Sequence, residues 1–569
     1  MTGSPDADHR DLRLWWKSAV LYCLDIETFL DSDGDGVGDI AGLAERIDYL
    51  TELGVTCLWL MPFYPTTERD DGYDITDYYG VDPRLGSHGD LVEMIRHAKD
   101  RGLRIIVDLV VNHTSDKHPW FKSARASKDS PYRDFYIWRD TEPPDTSDKV
   151  IFPDEETSLW TFDERTGEWY LHNFYSEQPD LNIANPAVQA EVARIIGFWL
   201  ELGIDGFRVD AVPYLIDAAG ADEELAAQYG DPHDYLRALR KFTSRRRGDA
   251  ILLGEVNLTY DAQMPFFGDA EGDELTMMFD FELMQRLYLA LARRDVNPMV
   301  DTLRRRPKLN ATNQFANFVR NHDELTLDKL SDDERQEVFD AFGPDPDMQL
   351  FGRGLRRRLP PMLNGDPRII KMVYSLMFSL PGTPVLFYGE EIGMGENLAV
   401  PGRLAVRTPM QWTAGRNGGF SPAKPSRLTA PLTTGPYGPA HVNVQDQRSD
   451  PDSLLAFISL LARRYRECPE VGMGDCEVLD SGSPAVFAHR CTWNQFGGGV
   501  ASSVLVHNLA PEPVEVTLAL ADLAPGTEVI DLFSDLSLEV GERGRLLVPV
   551  DGYGHLWLRI LLPGDRRLR

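Results

Sequence analysis

The sequence predicts a parallel (β/α)8 barrel with an inserted subdomain after its third strand and a C-terminal antiparallel β-sandwich. Three observations predict it. Short apolar runs alternate with amphipathic segments of helical period, a rhythm that calls for a parallel sheet covered by helices. About eight such units spread over roughly four hundred and fifty residues, which suits a barrel carrying insertions. After Asp450 the helical rhythm gives way to short strand-like runs separated by turn residues, as in a β-sandwich.

The elements follow in order. Residues 20–24 read as the first strand, 43–53 as a helix, 56–60 as the second strand, 91–101 as a helix and 103–110 as the third strand. An amphipathic segment at 192–202 ends at Gly203 and leads into a fourth strand at 204–209. A helix at 235–245 precedes the fifth strand, 251–254; the seventh is 315–319, and a helix at 369–379 precedes the last, 384–388. Two connections are too long for plain loops. Residues 113–180 form an inserted subdomain rich in Trp, Tyr, Asp and Pro; residues 325–368, carrying Arg353, Arg356, Arg357 and Arg358, are expected to form a helical lid. The last helix is 454–464, and strand-like runs follow at 485–488, 503–506, 514–518 and 546–550, with Pro549 predicting a sheet edge. The expected divisions are 1–112 and 181–475 for the barrel, 113–180 for the insertion and 476–569 for the sandwich.

Composition excludes several classes of partner. Lys and Arg number 58 against 90 Asp and Glu, a formal charge of −32, which argues against nucleic acid and anionic membrane surfaces. The N-terminal residues are polar, without the apolar core of a signal peptide, and no run reaches the length of a membrane span. Five scattered cysteines, Cys23, Cys57, Cys468, Cys476 and Cys491, lack zinc-ligand spacing. The expectation is a cytoplasmic protein with buried thiols and no structural disulfide.

Two patterns carry chemistry. Asp31, Asp33, Asp35 and Asp39 alternate with Gly in one loop and, with the Val37 carbonyl, can converge on a calcium ion. The start resembles an EF-hand loop, but the twelfth position is Gly42 and no helix precedes it, so a structural calcium site is favoured over a solvated acidic loop. The second pattern lies just past the predicted strands, where a barrel of this kind keeps its active site. Asn112 and His113 follow the third strand, Arg208 and Asp210 end the fourth, Glu255 follows the fifth, and His322 and Asp323 follow the seventh. Arg208 and Asp210, two apart, share one face of their strand. Taken alone, that pair reads equally as a structural ion pair or as a nucleophile held ionised. Three carboxylates from three strand ends are what retaining glycoside chemistry uses: a nucleophile, an acid/base of raised pKa and a third acid for the transition state.

The motifs resemble those of the α-amylase superfamily, glycoside hydrolase family 13. Residues 108–113 (DLVVNH), 206–210 (GFRVD), 254–256 (GEV) and 318–323 (FVRNHD) match its four signature regions in order, and 178–182 (QPDLN) matches a fifth. The resemblance implies a barrel fold with Asp210 as nucleophile, Glu255 as general acid/base and Asp323 as transition-state stabiliser. It places His113, Arg208 and His322 around the first glucose and Tyr73 beneath its ring. Asp70 would hold its distal hydroxyls, joined by Arg407; an exposed loop acid remains the other reading of Asp70, because the adjacent Asp71 leaves the register open. Gln178 lines the pocket. A second calcium near the third strand would use Asn112, Asp180, Asp217 and the carbonyls of Tyr214 and Leu215, with Asp217 one methylene shorter than the usual Glu.

Within the family, residues 69–74, 112–121, 210–215 and 320–327 are most similar to trehalose synthases, which interconvert maltose and trehalose. The substrate expected is therefore a small α-linked sugar such as maltose or trehalose. Departures lie near the second sugar: Val256-Asn257-Leu258-Thr259 stands where that group reads Ala-Asn-Gln-Trp, Cys23-Leu24-Asp25-Ile26-Glu27 where it reads Glu-Leu-His-Val-Arg, and Phe279-Asp280-Phe281 where it reads Phe-His-Phe. They leave isomerisation, α-glucosidase hydrolysis, starch cleavage and non-catalytic sugar binding, in that order of preference. A homo-oligomer stays open.

Overall fold

In the computed structural model, residues 12–216, 231, 233–269, 272–494 and 499–562 are described. Eight parallel strands close a barrel: β1 (Leu21–Leu24), β2 (Cys57–Leu60), β3 (Arg104–Leu109), β4 (Gly206–Val209), β5 (Ile251–Gly254), β6 (Met277–Phe279), β7 (Gln314–Asn317) and β8 (Thr383–Phe387). Each pairs with its neighbour in sequence, and β8 closes on β1. Every residue of β1, β2, β4 and β5 is buried, which is why these strands read as unbroken apolar runs. No strand was expected between residues 254 and 315; β6 lies there and is only three residues long, too short to show as a separate run.

Local chemistry sets the entry to β4. The helix Pro186–Leu202 begins where the Asn185 side chain accepts from the Ala187 N–H, with Pro186 at its first position. It stops at Gly203, whose φ of 113° is left-handed. Gly206 then allows β4 to meet β5 closely, because a Cβ there would lie 2.5 Å from the Ile251 carbonyl oxygen.

Residues 113–180 contain the helix Pro119–Ala124 and an antiparallel sheet of Trp138–Arg139, Glu168–Leu171 and Trp160–Asp163. The 325–368 connection is mixed rather than helical, combining the helix Asp332–Phe342 with a small sheet of Leu325–Thr326, Gly354–Leu355 and Gln349–Leu350. Its arginines explain the mixture, for they bind loop carbonyls instead of packing on a helix face. Arg356 donates to the carbonyls of Leu398 and Val400, and Arg358 to those of Tyr388 (2.8 Å) and Val406 (2.6 Å).

Past residue 474 a six-stranded antiparallel sheet lies against a two-stranded one, Val514–Ala519 with Arg545–Val550, around a core that includes Val504, Val506, Val516, Leu518, Leu546 and Val548. Pro549 belongs to the two-stranded sheet, where both strands are edges. The expectation of a chain without disulfides is overturned: Cys476 is bonded to Cys491. The two face each other across the antiparallel pair Asp475–Leu479 and Val486–Asn494, a register that fifteen residues of separation conceal in the sequence. Cys23, Cys57 and Cys468 are buried thiols. Among the described residues, no helix is long and apolar enough to cross a membrane.

Candidate active site

The ionisable side chains collect where the barrel strands end, and Arg208 stands at their centre. It projects from β4 and is 1% exposed. Its guanidinium donates to Asp108 of β3 (2.5 Å), to Asp210 just beyond β4 and to Glu255 just beyond β5 (2.7 Å). Trp59 Nε1 donates to the second oxygen of Asp108 at 2.6 Å. One buried cation thus holds carboxylates from three consecutive strands, and its removal would leave them uncompensated.

The turn after Asp210 is strained. Ala211 has a φ of 47°, a region that costs a residue with a Cβ about 1 kcal/mol or more. The turn directs the Ala211 N–H at Glu255 Oε2, 3.3 Å away. Backbone strain therefore helps aim the group expected to move the proton.

Burial separates the ionisation of these acids. It pushes Asp210 up to about 6 against the pull of Arg208, with Asp108 and Asp323 adding to the rise. It pushes Glu255 up to about 7, again opposed by Arg208 and reinforced by Asp210 and Asp323. At Asp323 burial also acts upward, but His322, Arg403, Arg407 and Arg208 outweigh it and hold the carboxyl well below the usual range. Burial keeps the His322 ring itself well below its ordinary value, against the pull of Asp323. Near neutral pH Asp210 and Asp323 are mostly ionised while Glu255 is divided between its two forms, the division an acid/base needs.

The remaining expected residues line the same mouth. The rings of Tyr73 and His322 lie parallel, 7° apart with centroids separated by 5.7 Å, and the Tyr73 hydroxyl meets His322 Nε2 at 2.8 Å. His113 Nε2 donates to the Tyr73 carbonyl at 3.2 Å, while burial lowers the ring to about 4 and keeps it neutral. Gln178 Nε2 donates to Asp70 at 2.9 Å.

The expected pair of Asp70 with Arg407 does not form. Arg407 binds Asp71 at 2.5 Å, Asp323 at 3.0 Å and the His322 carbonyl at 2.8 Å. Asp70 is held instead by Arg403 (2.8 Å), which also reaches Asp323 Oδ1 at 2.8 Å. The chain turns through a left-handed φ of 49° at Asp71, so the adjacent acids point to different partners, and a 3₁₀ turn over Gly402–Val406 sets the two arginines one turn apart. Arg403 was not among the expected site residues. The available signal was a second arginine one turn before Arg407.

The metal candidates divide. Oxygens of Asp31, Asp33 and Asp35 lie within 4.8 Å of one another, the span that two ligands about 2.4 Å from a shared calcium can have. Asp39 does not join them. Its oxygens accept from Ser32 and from the Gly42 N–H, capping the helix Ile40–Glu45, because a carboxylate at a helix start is drawn to the free amides. The Val37 N–H donates to Asp35 at 2.8 Å. At the second expected site Asn112 donates to Asp180 at 3.1 Å, and Asn173 donates through both its side chain and its backbone. Burial pushes Asp180 up to about 7 against these bonds. The amides of Tyr214 and Leu215 both donate to the Ala211 carbonyl. Asp217 lies outside the described residues.

A closed barrel with clustered acids at its strand ends defines the class: an enzyme of the (β/α)8 architecture with a glycosidase-type site. The α-amylase catalytic-domain model matches residues 26–340 and 356–471, and the chain belongs to that family. It is 41% identical over 554 residues to the trehalose synthase/amylase TreS of Mycobacterium tuberculosis, covering 96% of this chain and 90% of that protein. It is 39% identical over 562 residues to a trehalose synthase of Pimelobacter sp., covering 96% of each. Among solved structures, the α-amylase of H. orenii superposes with a TM-score of 0.76 at 25% identity, over 96% of this chain and 100% of that one. A trehalulose synthase MutB does so with a TM-score of 0.73 at 28% identity, over 96% and 100%.

Proposed function

We propose that the protein is a retaining α-glucoside enzyme of the trehalose synthase type, interconverting maltose and trehalose through a glucosyl-enzyme intermediate. The observation that carries this reading is the single Arg208 guanidinium bonded to both Asp210 and Glu255. Such a bridge favours the short carboxyl separation of retaining enzymes, about 5–5.5 Å, over the wider gap that inverting enzymes leave for water. In this mechanism Asp210 attacks the anomeric carbon while Glu255 protonates the departing oxygen. Glu255 then takes a proton from the acceptor hydroxyl as it attacks, and Asp323 offsets positive charge on the sugar in both transition states.

The released glucose must turn and re-attack before water does. Phe152 of the first insertion stacks on Tyr175 (4.6 Å) and packs at a tilt against Phe351 of the second (5.1 Å), and Arg353 donates to the Ile151 carbonyl (2.8 Å). These contacts join the two insertions and support a closed, water-poor pocket. Hydrolysis is the second reading. The absence of the usual Trp after Asn257 favours it, as does 33% identity to a palatinase of Erwinia rhapontici over 547 residues, 88% of this chain and 92% of that protein. Purified protein incubated with maltose should yield trehalose as the main product; glucose without trehalose would establish the hydrolase instead.

The Asp31, Asp33 and Asp35 group would hold calcium and tie its loop to the barrel, since Asp31 also accepts from Ser421 at 2.5 Å. It lies outside the chemistry and supplies rigidity. Stripping calcium with a chelator should lower the melting temperature by a few degrees, reversibly on calcium addition; an unchanged melting curve would remove the assignment.

A further inference from the structure

Two arginine struts converge on one atom of the transition-state acid. Arg403 runs from Asp70 to Asp323 Oδ1, and Arg407 runs from Asp71 to the same oxygen. The struts differ in surroundings. The Arg403 side chain is 17% exposed, and its other end rests on Asp70, a residue read as binding sugar hydroxyls. Arg407 is 3% exposed and also grips the backbone carbonyl of His322, the residue before Asp323. Arg407 is thus a permanent part of the mouth, and its outer end depends on Asp71.

Asp71 is costly to keep. Its backbone is left-handed, and the chain places Glu27 and Glu68 close by, with one oxygen of each of the three acids within 4.8 Å of the others. Asp25 lies behind them, raised by burial and then by the charge on Asp71. Arg84 serves Glu27, Glu68 and Asp82, which leaves Arg407 as the cation bonded to Asp71. Like charges and a left-handed backbone at one residue both oppose folding. A structural role alone would be met by Asn, which tolerates that backbone and can still accept a hydrogen bond from Arg407.

We infer that Asp71 is a positioning residue for the reaction: its charge tethers Arg407, and Arg407 in turn holds Asp323 and the His322 backbone in register with the sugar. The inference rests on the glycosidase reading of the site and extends it to a residue that need not touch substrate. An uncharged tether lets Arg407 shift its weight onto Asp323, which costs transition-state stabilisation more than ground-state binding.

The test is Asp71→Asn, with Asp71→Glu as the variant that keeps the charge. Activity on maltose and binding of a glucose-shaped iminosugar, a cationic mimic of the transition state, are both measured. In Asp71→Asn, kcat should fall about tenfold or more while KM stays within about threefold. Iminosugar affinity should fall in parallel with kcat, and the melting temperature should hold or rise because repulsion is relieved. Asp71→Glu should recover part of the lost kcat. Wild-type kcat and iminosugar affinity in Asp71→Asn would overturn the inference, as would a fall in kcat matched by a fall in melting temperature. If the wild-type protein neither turns over an α-glucoside nor binds the iminosugar, the glycosidase reading itself fails, a result distinct from either outcome for Asp71.

Discussion

The barrel mouth and the seam between barrel and sandwich both bury ionisable groups, and they treat them in opposite ways. At the mouth, Arg208 meets Asp108, Asp210 and Glu255, and Arg403 and Arg407 meet Asp323. At the seam, His489, His507 and His555 face the helix Pro367–Ser379 and its surroundings. His489 Nε2 donates to the Ser379 carbonyl (2.8 Å), His507 Nε2 meets Ser375 Oγ (3.0 Å), and His555 packs on Phe457 and Phe533. The charged neighbour that acts on His555 is Lys371, and no carboxylate adds to the shift of any of the three rings. Burial accordingly lowers His489 and His555 to about 4, with Lys371 pushing His555 further down, and holds His507 well below its ordinary value. The same desolvation acts in both places. Cations placed among the mouth acids keep charge available for chemistry, whereas the three seam rings have no such oppositely charged partner beside them and are held neutral.

The sharpest way to break the comparison is to remove the proposed nucleophile from the mouth. Asp210→Ala should cut maltose turnover by about four orders of magnitude or more while leaving a folded protein, since loss of a covalent nucleophile removes most of the catalysis. Turnover near the wild-type rate in that variant would refute the mechanism.

A pH titration sharpens the comparison, because the two regions should respond with opposite sign. The mouth acids Asp108, Asp210 and Glu255 have folded values raised to about 6, 6 and 7, so their contribution to stability falls as pH rises through that range. The seam histidines have folded values below the unfolded value of about 6.5, so their contribution is intact above that and is lost as pH falls toward 4. For fully buried His489, about 2 kcal/mol is at stake at pH 5. Hydrogen-exchange protection, corrected for the intrinsic pH dependence of amide exchange, should fall on moving from pH 7.5 to 5 in the strands Val486–Asn494, Val500–Asn508 and His555–Ile560, but not in β3 to β5. In the same titration, maltose turnover should trace a narrow bell centred between the Asp210 and Glu255 values, reported as properties of the coupled pair. A broad plateau from pH 5 to 9, or uniform exchange across both regions, would contradict the contrast.

Much of the molecule was legible in the residues. Buried apolar runs marked seven of the eight barrel strands, because parallel strands covered on both faces leave little room for polar residues. β6 escaped because three residues make no period. The strand-end acids and Arg208 were legible because a barrel presents its chemistry at one end, so order in the chain becomes position in space. Only the tertiary structure decided which cation serves which acid. Asp70 and Asp71 are adjacent in sequence, Arg403 and Arg407 lie one turn apart, and the left-handed turn at Asp71 chose the pairing. Asp39, identical in type to its neighbours in the acidic loop, became a helix cap because a helix happens to start behind it. Cys476 and Cys491 became partners through strand register. Composition and period are local and survive in the sequence; ion pairs, caps and disulfides depend on which groups the closed chain brings within a few ångströms, and that is settled only when the barrel and sandwich are complete.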